Sequence, residues 1–66
     1  MVPIKYFWTD NGPTDEEIHE AMSIAENENC VVVIRWNVFG YMYSMTARKG
    51  MTYEECKRQI PTIYGM

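Results

Sequence analysis

The residue pattern predicts a small α+β domain: a three-stranded, mainly antiparallel sheet with two helices packed on one face, in the order β-α-β-β-α. Three observations carry this expectation. The chain has 66 residues, enough for a single domain spanning 1–66 and no more. Three segments are rich in β-branched and aromatic residues and bounded by turn formers, which marks strands. Two segments open with Thr followed three residues later by Glu, the reciprocal cap that starts a helix.

The first strand runs from Val2 to Thr9, where Val2, Ile4, Tyr6 and Trp8 alternate with the intervening positions. Asp10-Asn11-Gly12-Pro13 ends it with four consecutive turn residues. Thr14 then caps the first helix, with Glu17 as its reciprocal partner and Asp15 and Glu16 at the positive end of the helix dipole. Ile18, Ala21, Met22 and Ala25 follow at helical spacing, and Asn27-Glu28-Asn29 closes the helix. Cys30-Val31-Val32-Val33-Ile34 is apolar at every position, as strands flanked on both sides are, so 30–36 is the expected central strand. Asn37-Val38-Phe39-Gly40 fits a type I turn, with Asn first and Gly fourth, and Tyr41 to Ala47 returns as the second arm of a hairpin. Thr52 with Glu55 starts the second helix, which presents Tyr53, Cys56 and Ile60 to the core and stops near Gln59 or Ile60 because Pro61 follows. The tail Thr62 to Met66 contains Ile63 and Tyr64, which suggests that it packs. The expected core is Ile18, Met22, Ala25, Val31 or Val32, Ile34, Cys56 and Ile60, with rings added from the first strand. The spacing Gly-x-Thr-x-Glu-Glu occurs at both 12–17 and 50–55. A duplicated strand-helix unit would produce it, but with so few positions two independent capping boxes are the preferred account.

A core this small seldom supplies more than about 3–5 kcal/mol, so such chains lean on disulfides, metals, self-association or tight packing. Two cysteines, Cys30 and Cys56, are too few for a disulfide framework, and one histidine with no CxxC pair makes no zinc site. Two reduced, packed thiols are expected, with no metal and no cofactor. The chain has no apolar run of about 18 residues, and its start lacks the sections of a targeting peptide. A cytoplasmic protein is the expectation.

Catalysis is not expected. His19, the single histidine, stands three residues after Glu16 and lies on an acidic helix. Its neighbours do not complete a metal-binding or general-base constellation. Neither cysteine has a base nearby in sequence, and there is no phosphate loop.

Charge and aromatic content point instead to binding. The net charge of −3 is divided. Seven acids in 1–29 against Lys5 leave −6, and five bases in 30–66 (Arg35, Arg48, Lys49, Lys57, Arg58) against Glu54 and Glu55 leave +3. The chain also holds two Phe, two Trp, five Tyr and six Met. A three-stranded sheet under two short helices has one covered and one open face, and rings fall on both alternations. On the first strand Tyr6 and Trp8 oppose Phe7, and around the hairpin Phe39, Tyr41, Tyr43 and Met45 oppose Met42. An exposed apolar patch of this kind marks an interface. The candidate partner-binding residues are Tyr6, Trp8, Trp36, Phe39, Tyr41 and Tyr43. Asp15, Glu16, Glu20, Arg48 and Lys49 are the candidates for electrostatic steering. The expected role is that of an inhibitor or modulator that docks on a larger protein. By size and composition alone it is comparable to small acidic phage and prophage products. A second copy of the chain is a compatible partner.

Phe39-Gly40-Tyr41-Met42 resembles the middle of the RNP1 motif of RNA-recognition domains, whose strand aromatics stack on bases. The β-α-β-β-α order also resembles that fold without its last strand. The resemblance implies single-stranded RNA or DNA as an alternative partner, with Phe39, Tyr41 and Tyr43 stacking and Arg35, Arg48 and Lys49 near phosphates. Asn37-Val38 stands where the motif opens with a basic residue and glycine, Ser44 replaces its last aromatic, and the chain is acidic.

Overall fold

A computed structural model describes residues 1–61. The elements are β1 (Ile4–Trp8), α1 (Asp15–Glu28), β2 (Val31–Val38), β3 (Tyr41–Ala47) and α2 (Tyr53–Lys57), an α+β domain in the order the sequence implies. The packing expected of Ile63 and Tyr64 falls outside the described residues.

The sheet order is β1-β2-β3, so β2 is central. β2 and β3 are antiparallel, with Ile34 beside Met45 and Trp36 beside Tyr43. β1 and β2 are parallel, with Ile4 beside Val31 and Phe7 beside Ile34. The sheet is therefore mixed. The parallel half follows from the connection: α1 carries the chain back along the sheet, so β2 sets out from the same end as β1.

Both helices start as their residues dictate. Thr14 accepts from the Glu17 N–H at 3.2 Å while the Glu17 carboxylate accepts from the Thr14 N–H at 2.8 Å. Thr52 and Glu55 repeat the box at 3.2 and 2.9 Å. Each such cap is worth about 1 kcal/mol. α1 ends at Asn29, whose φ of 49° is the left-handed conformation that asparagine tolerates. α2 is shorter than expected. It stops at Lys57, and the N–H groups of Gln59 and Ile60 continue as turn bonds to Cys56 and Lys57.

The hairpin turn is displaced by one residue from its expected place. Phe39 and Gly40 alone link β2 to β3, with φ of 50° and 84°. Both values are positive, as in the type I′ turn that matches strand twist. The Asn37 side-chain oxygen Oδ1 accepts from the Gly40 N–H at 3.1 Å. Asn37 therefore stays within β2, one residue before its end, and braces the turn without opening it.

The core lies between one sheet face and the two helices. Val32, Ile34 and Trp36 of β2, Met45 and Ala47 of β3, Ile18, Ala21 and Ala25 of α1, Cys30 and Cys56 form it. Ile18, Ala25, Val32, Ile34 and Cys56 were expected there. Met22 and Ile60 pack only against its rim. The first strand adds no buried ring, because all five of its residues are exposed. Trp36 supplies the bulk that those rings were expected to bring. It is 0% exposed, stacked with Tyr43 at 6.0 Å between centroids. Its indole N–H has no acceptor among the described residues, and an orphaned donor of this kind costs about 1–3 kcal/mol. The Cys30 and Cys56 thiols are free and buried, and burial pushes the Cys56 thiol up from its ordinary range.

Candidate protein-binding surface

Side chains alternate along a strand and neighbours in register share a face. The burial of Val32, Ile34 and Trp36 therefore assigns every other position. Lys5, Phe7, Tyr41, Tyr43, Met45 and Ala47 lie on the helix side. Ile4, Tyr6 and Trp8 lie on the open side, in line with Val31, Val33 and Arg35, and across from these stand Thr46, Ser44 and Met42. The open face is thus uneven. Its β1 half is apolar, and its β3 half carries the hydroxyls of Ser44 and Thr46 beside Met42. Tyr6 is 60% and Trp8 58% exposed, and the Arg35 guanidinium sits 5.1 Å above the Tyr6 ring.

The six candidate binding residues separate into four places. Tyr6 and Trp8 share the open face. Phe39 occupies the hairpin tip and is 94% exposed. Tyr41 and Tyr43 lie on the helix side, Tyr41 exposed and Tyr43 half-buried against Trp36. Trp36 is in the core, which corrects its assignment to a binding surface: an even position on β2 points at the helices. The rings of Phe39, Tyr41 and Tyr43 do not form one open platform of the RNP1 type. Arg48 and Lys49 follow Ala47, which pairs with Val32 at the far end of β2 from the turn. Those two cations therefore lie at the opposite end of the hairpin from Phe39.

Ile4 and Met42 were missed as candidates. Each is more than half exposed on the open face. The period-2 pattern of β1 already placed Ile4 with Tyr6 and Trp8.

Among the steering residues, Asp15 is engaged. It accepts from the Tyr53 hydroxyl and from Lys57 Nζ at 3.3 Å. These bonds hold its carboxyl below the usual range, the Tyr53 hydroxyl contributing most. Lys57 is raised by the Tyr53 hydroxyl first and by Asp15 next. The His19 ring stacks on Tyr53 at 4.8 Å, so this cluster joins the start of α1 to α2. Glu16 and Glu20 are exposed on α1, and Arg48 and Lys49 are exposed in the loop after β3.

A shallow cleft of about 100 Å³ runs between β1 and α1, lined by Phe7, Trp8, Glu17, Ala21 and Ile24 among others. Pockets that enclose small molecules are several times larger. Among the described residues no group of three or more His, Cys, Asp or Glu could hold a metal ion. No helix among them is long and apolar enough to cross a membrane.

The chain matches no protein-family model, and no curated protein or solved structure matches it.

Proposed function

We propose that this protein is a non-enzymatic binding module that docks on a larger protein and modulates it, by inhibition through occlusion. The single observation that carries this reading is a sheet face uncovered among the described residues, where Ile4, Tyr6 and Trp8 stand exposed side by side along β1. Large rings in a contiguous exposed strip are what interface cores are made of.

Phe39 supports the reading independently. A left-handed backbone costs a residue other than glycine roughly 1–2 kcal/mol, and Asn-Gly would fit this turn without it. Strain kept at an exposed position is a mark of function, and here it presents an aromatic ring at the tip of a hairpin. The acids of α1 steer the approach toward a basic surface. The module works in the cytoplasm, where its two thiols stay reduced.

Single-stranded nucleic acid is the second reading, favoured by the Arg35–Tyr6 stack on the open face. The separation of Arg48 and Lys49 from the hairpin tip weighs against it. Affinity capture from the native host with the unaltered chain, Trp8→Ala and Phe39→Ala tests the first reading. Capture of a defined protein that either change abolishes supports it. Equal capture by all three chains overturns it. Binding of a mixed oligonucleotide that weakens steeply with salt would favour the second reading.

A further inference from the structure

We propose that the outer edge of β1 is a strand-addition site, which takes an extended segment of the partner protein carrying basic residues around an apolar one. This inference rests on the protein-binding reading above and states how the partner is held.

The backbone pattern comes first. The Val31 N–H donates to the Pro3 carbonyl at 2.9 Å, and the Thr9 N–H donates to the Arg35 carbonyl at 3.0 Å. Successive residues of a strand turn their polar groups to opposite sides, so Lys5, Phe7 and Thr9 face β2. Ile4, Tyr6 and Trp8 then present their N–H and C=O groups outward, where β1 is the last strand of the sheet. The other edge differs at one residue, Thr46. There the Gln59 side chain takes both outward groups of Thr46, accepting from its N–H at 2.9 Å and donating to its carbonyl at 2.8 Å. A side-chain amide thus occupies the place of a neighbouring strand on β3. No side chain does this for Ile4, Tyr6 or Trp8 among the described residues.

Side-chain surroundings make the β1 edge selective. An added strand sends alternate side chains to the two faces. On the open face they lie beside Ile4, Tyr6 and Trp8. On the helix face, a side chain opposite Phe7 enters the cleft against Ala21 and Ile24, with Glu17 and Glu20 at its rim. α1 carries Asp15, Glu16, Glu17, Glu20, Glu26 and Glu28 and no Lys or Arg. Lys57 pairs with Asp15 and Lys5 with Glu28. Glu20 has no cation partner among the described residues. Lysine or arginine two positions to either side of the apolar residue falls on the same face and complements this rim. A second copy is disfavoured, because pairing β1 with β1 about a twofold axis sets two acidic helices on the same side of the joined sheet, facing across the junction.

The test uses the whole 66-residue chain made by chemical synthesis, unaltered or with the Tyr6 backbone nitrogen methylated. Methylation removes one outward N–H and keeps the ring. The probe is a labelled seven-residue peptide with lysine second and sixth, leucine fourth and valine or threonine elsewhere, so that both lysines share the face of the leucine, and the control carries glutamate in place of lysine. Anisotropy and amide exchange are the readouts. The basic peptide should bind and slow exchange at Tyr6 and Trp8. Its affinity should fall about tenfold with the methylated chain and clearly with Glu20→Lys, which leaves the backbone intact. Equal binding to the methylated chain, equal binding of the acidic peptide, or no binding of the basic one overturns the proposal. So does a dimer of the unaltered chain that methylation dissociates, since the occupant is then a second copy. A host partner lost by Trp8→Ala but kept by the methylated chain overturns strand addition and leaves the open-face reading standing. A partner kept by Trp8→Ala and Phe39→Ala but lost on methylation removes the open-face reading instead.

Discussion

The two tryptophans occupy opposite faces of one sheet, and their surroundings differ in every respect. Trp36 lies under both helices, is 0% exposed and stacks on Tyr43. Trp8 stands on the bare face with 58% of its surface in contact with solvent. Residue type does not separate them, since both are tryptophans on strands, Trp8 on an alternating one and Trp36 just after an apolar run. The difference teaches that in a domain of this size one aromatic residue holds the structure together while another of the same kind is left outside it. Burying a large ring contributes several kcal/mol, which a small domain cannot spare. Leaving a ring exposed gives nothing to folding, and on the proposed function its place is explained by what it meets outside.

That contrast can be broken most directly by removing each indole. Trp36→Ala should cost about 3–5 kcal/mol, comparable to the whole stability of such a domain. Circular dichroism should show a largely unfolded chain at 25 °C. Trp8→Ala should change stability by about 0.5 kcal/mol or less while losing partner capture. If urea titrations give the two variants similar losses, the division into covered and open faces is wrong.

Gln59→Ala comes next in size. It frees the Thr46 N–H and carbonyl, and the loss of two bonds that are partly open to solvent should cost about 1 kcal/mol. It should also make the β3 edge able to pair, seen as concentration-dependent sedimentation. An unchanged melting temperature and a strict monomer would show that the amide does not guard that edge.

Phe39→Asn should work in the other direction. The new residue suits a left-handed turn position, and stability should rise by about 0.5–1 kcal/mol. For a domain of this size that is a few degrees in Tm. Capture of the partner should fall in the same variant. A gain in stability with no loss of capture would separate the strained tip from function.

The smallest effect concerns the cluster that joins the helices. The folded carboxyl of Asp15 is depressed by Tyr53 and Lys57, so its contribution is complete above its unfolded value of 3.8 and is lost as the pH falls through the lower folded value. Lys57 is raised from 10.5, so its share is complete below that value and is lost as the pH rises through the higher folded one. Both groups are exposed, and solvent screening keeps the effect slight. Melts between pH 5 and pH 2 should show a small drop that Asp15→Asn removes.

Much of the architecture is local and therefore readable from the residues. Thr14 with Glu17 and Thr52 with Glu55 announce helices because cap and partner lie within four residues of each other. The apolar run at 30–34 announces the middle strand because only a flanked strand tolerates it. The candidate site was legible in part. Tyr6 and Trp8 were found by their alternation against Phe7, and Phe39 by its place in a turn. Trp36 was misplaced because alternation divides a strand into two sides without saying which side the helices will cover. The type I′ turn escaped because its sequence contains phenylalanine where asparagine would normally signal it. Gln59 escaped because its contact with Thr46 spans thirteen positions.

The sequence by itself determined the number, kind and order of the elements, the two helix starts and the central strand. These depend on capping chemistry and periodicity within a few residues. Only the tertiary structure decided that β1 runs parallel to β2, that Trp36 goes inward while Trp8 stays out, and that Gln59 caps one sheet edge at Thr46 while no described side chain caps the other. Those outcomes depend on contacts between residues far apart in the chain, where the choice is made by how helices and sheet fill one small core.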